Sequence, residues 1–261
     1  MLQISSTTLK KHYTAIKDEV FFVDKKWPHF EILFNDIVKL SRRFRKNKNI
    51  LSIERGGLYG NVSLFAPFFY RGNFVSVDCS EKKIRNRGAY NKDLVANKNI
   101  IKIPIDIFSN YKNLKIKENT MDLIIIPNLM HHIYDHNLLI KKCSKILKKE
   151  GYLYIFEPTL REIHQKPCDY FRFTPYGLSE VLKKNNFKNI KTNYSGGPFS
   201  AMAYCWDQAM QYLPKKIKNK YKKFLIYDDI KKITNLDRKY NKNLLRKKTI
   251  FPVSFSILAK I

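Results

Sequence analysis

Residues 50–61 read ILSIERGGLYGN: an apolar run, an acid at Glu54, then a loop with glycines at 56, 57 and 60. Such a run, broken at once by glycines, fits a buried strand that turns sharply at its carboxyl end. In doubly wound sheets a nucleotide-like ligand sits at that turn, because glycines let the backbone approach it. A second run, FVSVD at 74–78, ends on Asp78, 24 residues after Glu54. An acid about 20 residues on is what binds a ribose hydroxyl in such folds.

The same pattern continues outward. Short apolar runs recur at 100–105 (IIKIPI), 122–126 (DLIII), 152–156 (YLYIF) and in the closing FPVSFSILAKI. Between the fourth and fifth runs, NLLIKKCSKILKKEG is amphipathic and predicts a helix that stops at Gly151. GLSEVLKKNNF (177–187) predicts another. Ahead of the first strand, Phe30, Leu33, Phe34, Ile37, Val38 and Phe44 keep near-helical spacing, so residues 1–48 read as a helical extension. Apolar strands alternating with helices predict a parallel sheet covered on both faces. The polar, basic stretch from about 200 to 249 breaks the strand pattern and reads as a helical insertion before the last strand.

The chain has 261 residues, of which 44% are apolar, enough for a sizeable core. Its start, MLQISSTTLKKHYTAIK, lacks the apolar run of a signal peptide, and no stretch approaches the roughly 18 apolar residues of a membrane span. Cys79, Cys143, Cys168 and Cys205 lie far apart without a CxxC pair, which disfavours a zinc ribbon or disulfide framework and suggests a reducing cytoplasm. The net charge of +28 is carried mostly by Lys in dispersed runs, in a chain also rich in Asn, Ile, Phe and Tyr. That favours a solvated, composition-driven surface over a polyanion site, while peripheral contact with an anionic membrane stays open.

The glycine loop discriminates among ligands. A dinucleotide fingerprint would need glycine where Arg55 stands, and a P-loop would need Gly-Lys-Ser/Thr, which is absent. Acid-x-Gly-x-Gly-x-Gly matches better, with Glu54, Gly56 and Gly60 in place and Leu58 at the middle glycine. With the segments IPIDIFSNYKNLKIKENTMDLIIIPNLMHHIYD (103–135) and LLIKKCSKILKKEGYLYIFEP (138–158), the sequence resembles class I S-adenosylmethionine-dependent methyltransferases over about residues 49–195 and in the last strand. The resemblance implies a Rossmann-like α/β fold: a doubly wound, mostly parallel sheet of about seven strands within a methyltransferase domain over 49–261. It implies S-adenosylmethionine as cofactor. It places Glu54, Gly56, Gly57 and Gly60 at the methionine end, Asp78 on the ribose, and Cys79, Asp106 and Ile107 around the adenine. Pro127 and Asn128 would close the pocket beneath the sulfonium. DYFRFTPYGL (169–178) resembles the substrate-side loop of members associated with small molecules or sugars.

Methyl transfer to a hydroxyl needs alignment, exclusion of water and sometimes a base, for which histidine is well suited. HHIYDH places His131, His132 and His136 past the fourth strand. His132 and His136 have the i,i+4 spacing of a metal pair, but the H-E-x-x-H context is missing and no metal is expected. After the fifth strand come Glu157, Glu162, His164, Asp169 and Arg172. His164 is the preferred general base, with His131, His132 and Glu157 as further catalytic candidates. Asp169, Tyr170, Arg172 and Tyr204 are candidates for holding the acceptor, although Asp169 and Arg172 could instead pair to fix their loop.

The leading expectation is O-methylation of a small molecule or saccharide. Nucleic acid is disfavoured: IPNLMHH is not the Pro-Pro-aromatic motif of exocyclic-amine methylases, and Cys143 falls too late for a carbon-5 nucleophile. RNA ribose methylation and a non-catalytic binding subunit are the alternatives. Oligomeric state is not legible.

Overall fold

The computed structural model describes residues 31–54, 65–69, 72–78, 100–104, 116–164, 166–221, 232–240 and 251–261. Its centre is one seven-stranded sheet: β1 Asn49–Glu54, β2 Asn73–Asp78, β3 Ile100–Pro104, β4 Met121–Pro127, β5 Leu147–Pro158, β6 Lys188–Ser195 and β7 Ser254–Lys260. The spatial order is β3-β2-β1-β4-β5-β7-β6. The first five run parallel; β7 is antiparallel to both β5 and β6. The sheet matches the expected doubly wound, mostly parallel arrangement, and its order reverses between β1 and β4.

Side chains alternate across the sheet, so each face builds its own core. On one face Ile50, Phe74, Leu123, Ile125, Tyr154 and Phe156 pack with Leu33, Phe34, Ile37, Leu40 and Phe44. Four of these last residues lie on helix α1, Glu31–Arg43. The helix is tied down by a buried acid: Asp36 accepts hydrogen bonds from Ser256 Oγ (2.6 Å) and the Tyr154 hydroxyl (3.3 Å). The helix foreseen at the end of the N-terminal extension is thus a covering layer of the sheet. On the opposite face Leu51, Ile53, Val77, Ile124, Ile126, Leu153, Ile155 and Ile257 pack with α2 (His136–Ile146) and α3 (Pro175–Lys184).

One boundary differs from the sequence expectation. The helix read as running to Gly151 ends at Ile146, because Leu147 is already extended and pairs with Met121. Gly151 serves a different purpose from a helix stop. A Cβ there would lie 2.8 Å from the Lys148 carbonyl oxygen and 3.2 Å from Leu147 Cβ, so close approach demands glycine. The predicted insertion contains α4 (Pro198–Gln211), α5 (Lys215–Tyr221) and α6 (residues 232–240) among the described residues. It is docked through Asp237 of α6, whose carboxylate accepts from the Phe199 and Ser200 N–H groups at 3.1 and 2.6 Å and caps α4.

Candidate active site

Parallel strands bring their carboxyl ends to one edge, and the pairing register aligns the tips that the sequence singled out. Glu54 sits opposite Asp78, and Asp78 opposite Pro104. On the other side of β1, the register Ser52↔Ile125 carries on toward Glu54 and Pro127. Glu54 is nearly buried and accepts a short hydrogen bond from Ser52 Oγ. That explains why a serine is tolerated two residues before the acid inside an otherwise apolar strand. Asn128 follows with a left-handed backbone (φ 54°), its N–H bonded to the Phe156 carbonyl oxygen at 2.8 Å. Its side-chain Oδ1 is buried without a hydrogen-bond partner. Arg55, Gly56, Gly57, Leu58, Gly60, Cys79, Asp106 and Ile107 lie outside the described residues.

The second part of the site is built beyond β4 and β5. Glu157 is completely buried at the end of β5, where an uncompensated carboxylate would be costly. It is compensated three times over. Its Oε1 accepts the Leu129 and Met130 N–H groups at 2.9 and 2.7 Å, and its Oε2 lies 2.6 Å from Nδ1 of His131. The carboxylate therefore shapes the short 3-10 turn Met130–His132 and fixes the His131 ring. His132 is equally buried, with Nδ1 2.5 Å from the Cys168 carbonyl oxygen.

The 159–174 segment closes over this turn, for the Tyr170 N–H donates to the His131 carbonyl oxygen at 2.9 Å. It brings in His164, whose Nδ1 lies 3.1 Å from both the Glu162 carbonyl oxygen and Asp169 Oδ2. The centroid of the His164 ring is 5.3 Å from that of His131 and 4.9 Å from that of His132; the latter two are 4.0 Å apart. Burial lowers the pKa of His164 below the ordinary imidazole value, and the Arg161 and His131 charges act in the same direction.

Asp169 and Arg172 meet as a bidentate pair at 2.5 and 2.8 Å. Arg172 also donates to the Phe171 and Glu162 carbonyl oxygens at 2.7 and 2.8 Å. Burial pushes the Asp169 carboxyl upward, but bonds from Arg172 and the His164 N–H outweigh that and hold it well below the usual carboxylate range. These two groups hold the loop together, the second of the two roles the sequence left open for them. Tyr204, on α4, is buried and donates its hydroxyl to Glu162; burial and that carboxylate raise its pKa. Tyr170 is 41% exposed on the outer side of the loop, its ring against Tyr134. His136 stands apart from the other histidines, packed on Phe171 and Phe173 with centroids 4.9 and 5.1 Å away. Cys143 is fully buried in α2, and burial pushes its thiol up to about 12, which removes it as a nucleophile.

Comparison with known proteins adds to this geometry. A family model described as a methyltransferase domain matches residues 56–155, from the glycine loop into β5. A ubiquinone biosynthesis O-methyltransferase of Pelagibacter ubique (strain HTCC1062) is 29% identical over an alignment of 204 residues that covers 70% of this chain and 80% of that protein. Residues 56–155 thus carry a methyltransferase domain, and the chain is similar to class I S-adenosylmethionine-dependent methyltransferases.

Solved structures agree on the fold of this methyltransferase. An S-adenosylmethionine-dependent methyltransferase of Archaeoglobus fulgidus superposes with a TM-score of 0.50 at 15% identity, covering 88% of this chain and 94% of that one. Haemonchus contortus phosphoethanolamine N-methyltransferase 2, in complex with S-adenosyl-L-methionine, gives 0.50 at 13% identity over 99% of this chain. The chain spans 60% of the length of that structure. The described residues fit an adenosyl group sensibly: an acid ends β2, β1 carries Glu54 beside it, and Asn128 holds a buried acceptor without a partner. Among the described residues no helix is long and apolar enough to cross a membrane.

Proposed function

We propose that this methyltransferase methylates an oxygen of a small-molecule or saccharide acceptor, seated between the β4 tip and the 159–174 loop. The reading rests on one observation: three histidines and a buried carboxylate gather next to Asn128, at the edge where a methyl donor belongs. Similarity to a ubiquinone biosynthesis O-methyltransferase supports oxygen as the acceptor atom.

S-adenosylmethionine, when bound, would supply an electrophilic methyl carbon suited to in-line displacement by an acceptor oxygen. Everything else falls to this chain. The acceptor oxygen becomes a better nucleophile as it loses its proton, and His164 is the group to take it. With Nδ1 of His164 held by oxygens, the lone pair of the neutral ring lies on Nε2, the proton-accepting atom. Asp169 lies against Nδ1 and stabilises the imidazolium formed, while Arg172 keeps Asp169 ionised and in place. Glu54, Gly56, Gly57, Gly60, Asp78, Cys79, Asp106, Ile107, Pro127 and Asn128 are proposed to line the cofactor, with Asp78 on the ribose hydroxyls. Tyr170 is proposed to flank the acceptor, and Tyr204 to act on it through Glu162.

The test is incubation of the purified chain with methyl-labelled cofactor and fractionated cell extract. Label recovered as a methyl ether in small metabolites or glycans supports the reading. Label confined to RNA would move it to ribose methylation, and no cofactor binding in calorimetry would make the chain a binding subunit.

A further inference from the structure

One ring nitrogen from each of His131, His132 and His164 lies within 4.8 Å of the other two. We infer that these three side chains form a binding site for a single divalent transition-metal ion of the zinc type. The site was not foreseen in the sequence, where the only metal-like spacing joined His132 to His136.

Four observations carry the inference. First, the three rings converge. Around a tetrahedral zinc with metal–nitrogen bonds of about 2.0–2.1 Å the nitrogens stand about 3.3 Å apart, so each needs to move inward by less than about 1 Å. Second, each Nδ1 is held by an oxygen: Glu157 Oε2 for His131, the Cys168 carbonyl for His132, and Asp169 Oδ2 with the Glu162 carbonyl for His164. Oxygens behind the distal nitrogen are how proteins orient metal-bound imidazoles; they fix the tautomer with its lone pair on Nε2 and raise ligand basicity. Third, His131 Nε2 is buried in a fully inaccessible side chain and has no hydrogen-bond partner. An ion in the centre of the cluster supplies that partner. Fourth, Glu157 places a buried carboxylate directly behind one ligand, and its hydrogen-bond donors are two backbone N–H groups and His131 itself. A negative second shell compensates a cation among neutral ligands.

Three imidazoles select zinc, cobalt, nickel, copper or iron over magnesium and calcium, which prefer oxygen. Three protein ligands also leave a coordination position open, as in catalytic rather than structural zinc sites. Here the inference rests on the proposed O-methylation: that position would take the acceptor oxygen. The O–H proton would leave to water, the new O–C bond would form as the donor's S–C bond breaks, and His164 would serve as ligand instead of base.

Binding of the ion is tested without turnover. The full chain is stripped with a chelator, dialysed and titrated with Co2+, followed by its visible d–d absorption, and then with Zn2+ against a colorimetric chelator. The expected result is one equivalent bound, with tetrahedral or five-coordinate cobalt bands and a raised melting temperature. His164→Ala and His131→Ala should each weaken Zn2+ affinity at least tenfold, and Glu157→Gln about tenfold through His131. His136→Ala should leave it unchanged. The His164→Ala variant, altered at the edge of the cluster, keeps the test valid if His131→Ala fails to fold. Absence of stoichiometric binding, or equal affinity in wild type and His164→Ala, overturns the site. If the ion binds but no label reaches an oxygen acceptor, the site stands and the O-methylation reading falls.

Discussion

Nδ1 of His131 lies 2.6 Å from Oε2 of Glu157, and both side chains are completely buried. The pair joins the tip of β5 to the turn after β4, since the same carboxylate holds the Leu129 and Met130 N–H groups. Glu157→Gln keeps the shape but halves the accepting capacity: one of its two terminal atoms becomes a donor facing donors. The variant is expected to lose about 1–3 kcal/mol of stability in urea denaturation. Turnover should fall at least tenfold, because the His131 ring loses its anchor. Unchanged stability would show that the turn holds without the carboxylate.

A second acid is expected to govern acid stability. Asp122 opens β4 and accepts from the Asn49 N–H at 2.9 Å, Lys148 at 2.8 Å and Lys48 at 3.3 Å. Burial raises its pKa, but these three donors outweigh burial and hold it below the ordinary carboxylate value. A depressed folded-state pKa stabilises the native protein above the unfolded value of about 3.9, and that contribution disappears as pH falls through the folded value. Asp122→Asn should therefore cost about 1–2 kcal/mol at pH 7, with the gap to wild type closing at acid pH. Melting temperatures of the two proteins measured from pH 7 downward would show the convergence, and a pH-independent gap would contradict it.

Much of this was legible in the sequence. Six of the seven strands were readable because each holds a short apolar run, as buried strands do, whereas β6, KNIKTNYS, is an exposed edge strand without such a run and went unread. The carboxyl-edge site followed from where those runs stop, at Glu54, Asp78 and Pro127. The end of α2 was misread because Gly151 resembles a helix stop, whereas its φ is unremarkable and crowding by Lys148 and Leu147 is what requires it. The histidine cluster was only half legible. His131 and His132 stood out as neighbours of the β4 tip, but His164 joins them across more than 30 residues by a loop fold that no spacing encodes. His132 and His136 carried the familiar i,i+4 signal, yet the turn at 133–135 separates them, so His136 ends on Phe171 and Phe173. Asp36 gave no signal at all, since an acid on an amphipathic helix is ordinary until the fold sets it against Tyr154 and Ser256.

Asp78 offers the cleanest test of cofactor placement. It ends β2 opposite Glu54, where the ribose of S-adenosylmethionine is proposed to sit. Asp78→Ala should weaken cofactor binding by about 1–3 kcal/mol through lost charge-assisted hydrogen bonds, read by isothermal titration. An affinity equal to wild type would remove Asp78 from the site.

The last prediction concerns the loop that carries His164. Arg172 spans it, with two bonds to Asp169 and others to the Glu162 and Phe171 carbonyl oxygens. A lysine in its place keeps the charge but loses the planar fork that makes those contacts together. Arg172→Lys should therefore loosen residues 159–174 while the sheet, whose cores lie on the far side of these bonds, stays intact. Ile163 is 72% exposed within the loop and offers thermolysin a cleavage point once the backbone can open. Cleavage there should accelerate several-fold in the variant, with the melting temperature within a few degrees of wild type and cofactor affinity within twofold. Methyl transfer should nevertheless drop at least tenfold, since His164 depends on Asp169 for its orientation and Asp169 on Arg172. Equal cleavage rates and equal turnover in the two proteins would mean that the ion pair is ornamental, and that the loop is set by the Tyr170 and Phe171 N–H bonds to His131 alone.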